Sequence, residues 1–306
     1  MRVLVIGGSG LIGRAAAATL REAGDDVSVA SRRQPAVLPL GVAWHALDIC
    51  DAGSVHAVVA RARPDAVLHL AALLQFDCEH EPARAVRINV DGTLHVLEAC
   101  CRLGVRRVVF GSSIAVYGPT TEPLREEGWT YRDVGLYGVT KLMGEALGRR
   151  FRAEHGLEFV ALRYAGVFGR EDASQEVPSS GMSLVRKRIL ECAKGQDVAI
   201  DGASGAEHTH LTHVIDAVEA TRLALHHPAP AHAVYNVAGP EGNHLTLRQL
   251  HEAVRRLVPH AGLALWRGQG RTAGPVDTRR IQGDLGYRPR MTLEAGLIHA
   301  LGLRRG

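Results

Sequence analysis

Short runs of aliphatic and β-branched residues alternate with stretches of helical period through the first half of the chain. Residues 2–6, 27–31, 42–47, 65–70, 107–110 and 159–163 read as strands. Residues 11–23, 51–62, 82–102 and 137–154 carry the spacing of helices. Strands that are apolar throughout are covered on both faces, and strand–helix alternation implies a parallel sheet between two helical layers. The expected fold is α/β, a doubly wound, Rossmann-like parallel sheet with a smaller α/β substrate-binding C-terminal lobe. Residues 1–165 form the dinucleotide-binding part in this reading. The regularity weakens after Gly166, where 170–181, rich in Glu, Ser and Pro, reads as a loop. A helix at 214–226, a strand at 234–237 and a helix at 246–258 follow. Residues 212–238 are expected to return to the first lobe, leaving 166–211 and 239–306 for the substrate. Right-handed crossovers place the ligand crevice at the carboxyl ends of the strands.

The first strand runs straight into Gly7-Gly8-Ser9-Gly10-Leu11-Ile12-Gly13 and then a helix. Glycines let the backbone approach a pyrophosphate, and a helix N-terminus turns free N–H groups and a positive dipole toward it. Glycine turns are common, but this one has the strand before and the helix after that a dinucleotide site requires. The second strand ends in Ser31-Arg32-Arg33. An acid at that point binds the ribose 2′-hydroxyl of NAD, whereas arginine pairs with a 2′-phosphate. Arg32 and Arg33 therefore favour NADP over the alternative, NAD, unless both are merely solvated loop charges. Asp48, followed by Ile49, suits an adenine amine or a helix cap, although Asp51 fills the capping role better. Leu70, Ala71 and Ala72 leave room for a ribose.

Chemistry-bearing residues follow at the fifth strand and the helix after it. Tyr137 and Lys141, four residues apart, share one helix face, and Ser113 closes a strand that faces the same crevice. A phenol is a poor base at neutral pH, and a nearby ammonium stabilises its phenolate. Such a set removes a proton from a carbinol while hydride leaves for a nicotinamide, or runs in reverse.

With these residues in view, the sequence resembles the extended short-chain dehydrogenase/reductases, specifically the NAD-dependent epimerase/dehydratase family. The likeness covers nearly the whole chain. Beyond the glycine turn it takes in His69-Leu70-Ala71-Ala72, Asn89-Val90-Asp91-Gly92-Thr93, Ser112-Ser113-Ile114-Ala115-Val116-Tyr117-Gly118, Leu162-Arg163-Tyr164, Val167-Phe168-Gly169 and Leu285-Gly286-Tyr287-Arg288-Pro289. It implies that Ser113 rather than Ser112 is the catalytic serine, that Asn89 holds the active-site geometry, and that Ala165 lies against the nicotinamide. It also implies a homodimer formed through the helices at 82–102 and 137–154. Three departures narrow the transfer. Ile114-Ala115 stand where dehydratases carry an Asp-Glu pair. His208-Thr209-His210-Leu211-Thr212-His213-Val214 replaces an Arg-Asp-aromatic run whose arginine holds a diphosphate. Gly166 replaces a frequent asparagine.

Composition excludes several classes. The net charge of +4 is small and spread along 306 residues, so it leaves no footprint for nucleic acid. Five cysteines without C-x-x-C spacing read as reduced thiols. The first residues do not resemble a signal peptide, and no apolar run suits a membrane span, so a cytoplasmic protein is expected. His208, His210 and His213 have no acid or cysteine at ligand spacing, and no metal is expected. Three functions remain open for a small, sugar-like substrate. One is an epimerase that keeps its cofactor, and another is an NADP-dependent reductase or dehydrogenase that releases it. The third is a non-catalytic dinucleotide sensor, which has no use for Ser113, Tyr137 and Lys141.

Overall fold

The computed structural model describes residues 1–128, 133–170 and 181–303. The first lobe runs β1 (Arg2–Ile6), α1 (Leu11–Glu22), β2 (Asp26–Ser31), β3 (Ala43–Ala46), α2 (Ala52–Ala62), β4 (Ala66–His69), α3 (Gln75–His80), α4 (Pro82–Val86), α5 (Gly92–Arg102), β5 (Arg107–Ser113), α6 (Leu136–His155) and β6 (Glu158–Tyr164). There follow β7 (Val167–Phe168), α7 (Gly181–Glu191), β8 (Val198–Asp201), β9 (His208–His210), β10 (Thr212–His213), α8 (Val214–His226) and β11 (Val234–Val237). The chain continues with β12 (His244–Thr246), α9 (Leu247–Leu257), β13 (Ala264–Arg267), α10 (Arg279–Asp284) and α11 (Leu293–Leu301).

Among the described residues the main sheet has seven strands in the order β11-β6-β5-β4-β1-β2-β3, all parallel. Strand order reverses between β1 and β4, and their carboxyl ends diverge there into a crevice. Each face of the sheet carries its own core. Val3, Val5, Leu20, Val160, Val218 and Tyr235 pack on the side of α1 and α8. Leu4, Ile6, Val59, Leu97, Phe110 and Phe159 pack on the side of α2, α5 and α6. A third cluster, including Phe168, Ile189, Ile200, Val254 and Leu297, lies under α7, α9 and α11, with three two-stranded sheets around it among the described residues.

Helix α6 lies unusually close to the sheet. A Cβ on Gly148 would collide with the Phe159 ring, and one on Gly144 would come within 3.0 Å of the Phe110 ring or nearer. These missing side chains carry the N-terminal turns of α6 toward the carboxyl ends of β5 and β6.

The expected single helix at 82–102 is interrupted. Residues Arg87–Asp91 form a π-turn between α4 and α5. Its buried Asn89 accepts from the Leu73 backbone N–H at 2.7 Å and donates to the Leu73 carbonyl at 3.0 Å and the Thr140 hydroxyl at 3.0 Å. Helical periodicity alone does not reveal such an insertion, because it preserves an apolar pattern on either side. Strand β5 also runs three residues past its expected end at Phe110. Gly111 makes room there for Leu70, whose Cδ2 would lie 2.8 Å from a Cβ at that position. The loop expected at 170–181 lies at 171–180 outside the described residues.

Candidate active site

One cavity of about 1540 Å³ runs along the carboxyl edge of the sheet from the glycine turn to α7. Small-molecule sites typically occupy roughly 300–1,000 Å³, so there is room for a dinucleotide and a second ligand. Gly7, Gly10, Leu11, Ile12 and Gly13 line one end, with Ser31, Arg32, Asp48 and Ile49 beyond them. Leu70, Ala71 and Ala72 form the middle, and Ser113, Tyr137 and Lys141 the chemical end. Three expected site residues do not line it. Arg33 is exposed, while Asn89 and Ala165 are buried behind the wall.

The turn after β1 fits a pyrophosphate on internal evidence. Gly7 has φ +90°, and a Cβ there would meet the Ala71 backbone nitrogen at 2.6 Å, while a Cβ on Gly13 would collide with the Gly7 carbonyl. These two glycines are required by the protein itself. Gly10 is not, because its Cβ would meet only the Gly7 carbonyl oxygen, at an ordinary 3.5 Å. It occupies the N-cap of α1 and offers no capping side chain, and no acid stands in the first turn. The N-terminal N–H groups of α1 are thus left to an anion. At the neighbouring strand end, Ser31 donates to the Arg33 carbonyl at 2.7 Å and accepts from the Trp44 indole at 3.1 Å. The serine shapes the turn, and Arg32 is the arginine that reaches the cavity. Asp51 caps α2 through Gly53 and Ser54, as its position suggests, whereas Asp48 Oδ1 accepts from the Cys50 N–H at 3.0 Å on its own loop.

At the chemical end, Ser113 and Tyr137 line the same stretch of the cavity. Burial pushes the Tyr137 phenol well above its ordinary value, and the nearby Ser113 side chain acts against that rise. Lys141 is buried and donates to the Gly111 carbonyl at 2.7 Å, with its ammonium 5.6 Å from the Tyr137 ring centre. Desolvation lowers its pKa to about 8, partly offset by Cys78 and Glu145. Thr140, on the turn between them, donates to the Tyr137 carbonyl at 2.8 Å and receives the Asn89 amide. Ser113 Oγ accepts from the Ala115 N–H at 3.1 Å, which fixes the following turn. Ile114 and Ala115 border the cavity with side chains that carry no titratable proton.

Sequence reasoning missed the support behind this wall. Ser112 Oγ donates to Glu145 Oε1 at 2.6 Å, and Arg163 grips the same carboxylate through Nε at 2.8 Å and Nη2 at 2.7 Å. Arg163 also donates to the Tyr117 hydroxyl, which donates to Asn236. The spacing Tyr137, Lys141, Glu145 was the available signal, since it continues one helix stripe by another four residues. The histidine run divides differently from its appearance. His210 bonds the Gly239 and Pro240 carbonyls and accepts from Val276, and His213 caps α8 and contacts His299 at 3.0 Å. Only His208 of the three lines the cavity, and among the described residues no group of three His, Cys, Asp or Glu is arranged to hold a metal.

A doubly wound sheet with a glycine turn at its switch point and a Ser–Tyr–Lys wall defines the class of nicotinamide-dependent short-chain enzymes. Comparison with known proteins narrows this. A model of the NAD dependent epimerase/dehydratase family matches residues 3–238, and the chain belongs to that family. It is 33% identical over 272 residues to a UDP-glucose 4-epimerase of Streptomyces lividans, covering 85% of this chain and 82% of that one. It is 30% identical over 322 residues to a dTDP-glucose 4,6-dehydratase of Streptomyces niveus, covering 98% and 92%. The structure of the Thermus thermophilus UDP-glucose 4-epimerase in complex with NAD aligns with a TM-score of 0.87 at 26% identity, over 99% and 98% of the two chains. No helix among the described residues is long and apolar enough to cross a membrane.

The room at Gly10 makes a sharp test. Gly10→Ala is expected to unfold at nearly the wild-type temperature yet to bind nicotinamide dinucleotides at least about 10-fold more weakly, because its methyl occupies the anion's approach. Unchanged affinity by fluorescence titration would remove the pyrophosphate from this turn.

Proposed function

We propose that the protein is an NAD(P)-dependent oxidoreductase or epimerase moving a hydride at a secondary alcohol or ketone carbon of a sugar-like substrate. The observation that carries this reading is the convergence of Ser113 and Lys141 on Tyr137 in the cavity that also contains the glycine turn. In this mechanism a bound nicotinamide supplies the hydride acceptor or donor. Ser113 Oγ orients the substrate oxygen by a hydrogen bond, and Tyr137 Oη takes the carbinol proton as the carbon is oxidised, or returns it on reduction. Lys141 provides the positive charge that brings the phenol into working range, and it can reach a ribose hydroxyl from the same position. Asn89 acts behind them, holding α6 to the loop after β4. Residues 166–211 and 239–306 are assigned to substrate recognition, around the separate cluster under α7, α9 and α11.

Arg32 in the cavity supports NADP as the cofactor, although the structurally similar Thermus enzyme was solved with NAD. A dissociable NADPH used once per turnover is the second reading, favoured by Arg32 and by the missing arginine in the His208-Thr209-His210 run. Ala165, just past the end of β6, is assigned a place behind the part of the wall that faces the nicotinamide. A homodimer through α4, α5 and α6 is supported by Val86 on α4 and by Val139 and Met143 on α6, each more than two-fifths exposed.

Tyr137→Phe is expected to lose at least about 100-fold in turnover while keeping dinucleotide affinity. The wild-type kcat/KM for alcohol oxidation should fall above about pH 8, because a lysine lowered to that value loses its charge as pH rises through it. Full activity in Tyr137→Phe defeats the mechanism. Arg32→Ala should weaken NADPH about 10-fold or more and leave NADH nearly unchanged, and equal losses would return the assignment to NAD. Net consumption of NADPH separates the reductase from an epimerase, which shows none. Met143→Asp should convert a dimer into monomers by sedimentation, and a wild-type chain that is monomeric throughout rules the interface out.

A further inference from the structure

We propose that His69 is a positioning residue of the active site: its Nε2–H fixes the Thr93 hydroxyl that steadies the π-turn, and through Asn89 it holds the start of α6 in place. The inference deepens the hydride-transfer reading of the cavity and rests on it.

His69 closes β4 in parallel register with Ile6 and Phe110, immediately before Leu70, Ala71 and Ala72 of the cavity wall. It is buried and does not line the cavity itself. Burial, with the Lys141 charge acting in the same direction, lowers its pKa to about 3, so the ring is neutral. A count of protons fixes which neutral form it takes. The Thr93 hydroxyl lies 2.7 Å from the Asn89 carbonyl, which can only accept, so its single proton is given there. His69 Nε2 lies 3.1 Å from the same hydroxyl oxygen and is therefore the donor of that pair. Nδ1 then carries no proton, and it is buried with no partner among the described residues. A buried, unpaired ring nitrogen is costly, and an apolar residue at this strand end would avoid the cost. What the histidine alone supplies is the Nε2 donor.

That donor gives the neighbouring contacts a fixed sense. In the π-turn the Gly92 N–H reaches back to the Arg87 carbonyl, and the Thr93 hydroxyl serves the Asn89 carbonyl. The Asn89 side-chain amide donates to the Thr140 hydroxyl at 3.0 Å, which donates in turn to the Tyr137 carbonyl at 2.8 Å. Contacts no longer than 3.1 Å thus join β4, α5, the π-turn and α6. With its proton on Nδ1 instead, His69 would compete through Nε2 for the Thr93 proton and strip the Asn89 carbonyl of its donor. The two ends of the line also meet in space. The His69 ring centre lies 5.7 Å from that of Phe110, and the Lys141 ammonium lies over the same phenyl ring at 4.8 Å. A neutral imidazole is the form that this charge tolerates.

The test uses the full chain. In 15N-histidine-labelled protein the His69 signals, identified by their loss in His69→Gln, should show the neutral Nε2–H form by NMR from about pH 5 upward. Hydrogen exchange followed by mass spectrometry reads the fastening of α6. His69→Phe should speed exchange of the amides at 137–144 by about 10-fold or more and leave those of α1 and α9 unchanged. His69→Gln returns an N–H near the lost one and should restore most of the protection. Thr93→Val should match His69→Phe, with no added effect when the two are combined. Should His69→Phe fail to fold, Thr93→Val with Thr93→Ser as its rescue carries the same comparison. An Nδ1–H or charged ring, exchange at 137–144 that stays unchanged or speeds equally throughout the molecule, or no rescue by the conservative variant overturns the proposal. Failure of the hydride-transfer reading shows elsewhere, as full turnover in Tyr137→Phe.

Discussion

A carboxylate with no solvent exposure, Glu145, determines how α6 meets the ends of β5 and β6. Arg163 from β6 holds it in a two-pronged grip, and Ser112 from β5 supplies a third hydrogen bond. Removing one partner of such a buried pair leaves a bare charge, at a cost of about 3–5 kcal/mol. Glu145 sits one helical step from Lys141 and two from Tyr137 on the same stripe. Its anchoring therefore sets the depth and rotation at which phenol and ammonium face the cavity. Gly144 and Gly148 allow the approach, and the ion pair makes it specific.

Desolvation at this wall acts on the two titrating groups in opposite directions. It holds the Tyr137 proton on and weakens the hold of Lys141 on its own. The Gly111 carbonyl keeps the ammonium directed at the strand end, and Glu145 behind it favours the charged form. Burial thus keeps the Tyr137 phenol neutral, and a neighbouring positive charge is what favours its phenolate.

Much of the fold is readable because the central strands β1, β4, β5 and β6 hold continuous apolar runs buried on both faces, and the glycine turn follows the first of them. The assignments of Tyr137, Lys141 and Ser113 to one wall followed from a helical spacing and from chain order. Three features escaped. The π-turn preserves local periodicity, so Asn89 was placed only by resemblance. The apolar run of β5 stops at Phe110, so nothing in its pattern shows that Gly111, Ser112 and Ser113 continue the strand. Arg186, buried on α7, sits beside Lys187 and Arg188, and nothing local separates a buried cation from solvated ones. Burial of a charged side chain is decided by tertiary neighbours.

The π-turn at Arg87–Asp91 also bears on which changes of length the chain tolerates. An α-helix turns about 100° per residue, so one surplus residue rotates everything after it relative to everything before. Deleting a residue there would restore unbroken helical pairing and improve the segment locally. It would also swing Asn89 away from Leu73 and Thr140, releasing α6 from the loop after β4. Drift by deletion therefore meets a barrier at this point that composition does not reveal, and the irregular frame of the helix is kept for a side chain that a regular one would expel.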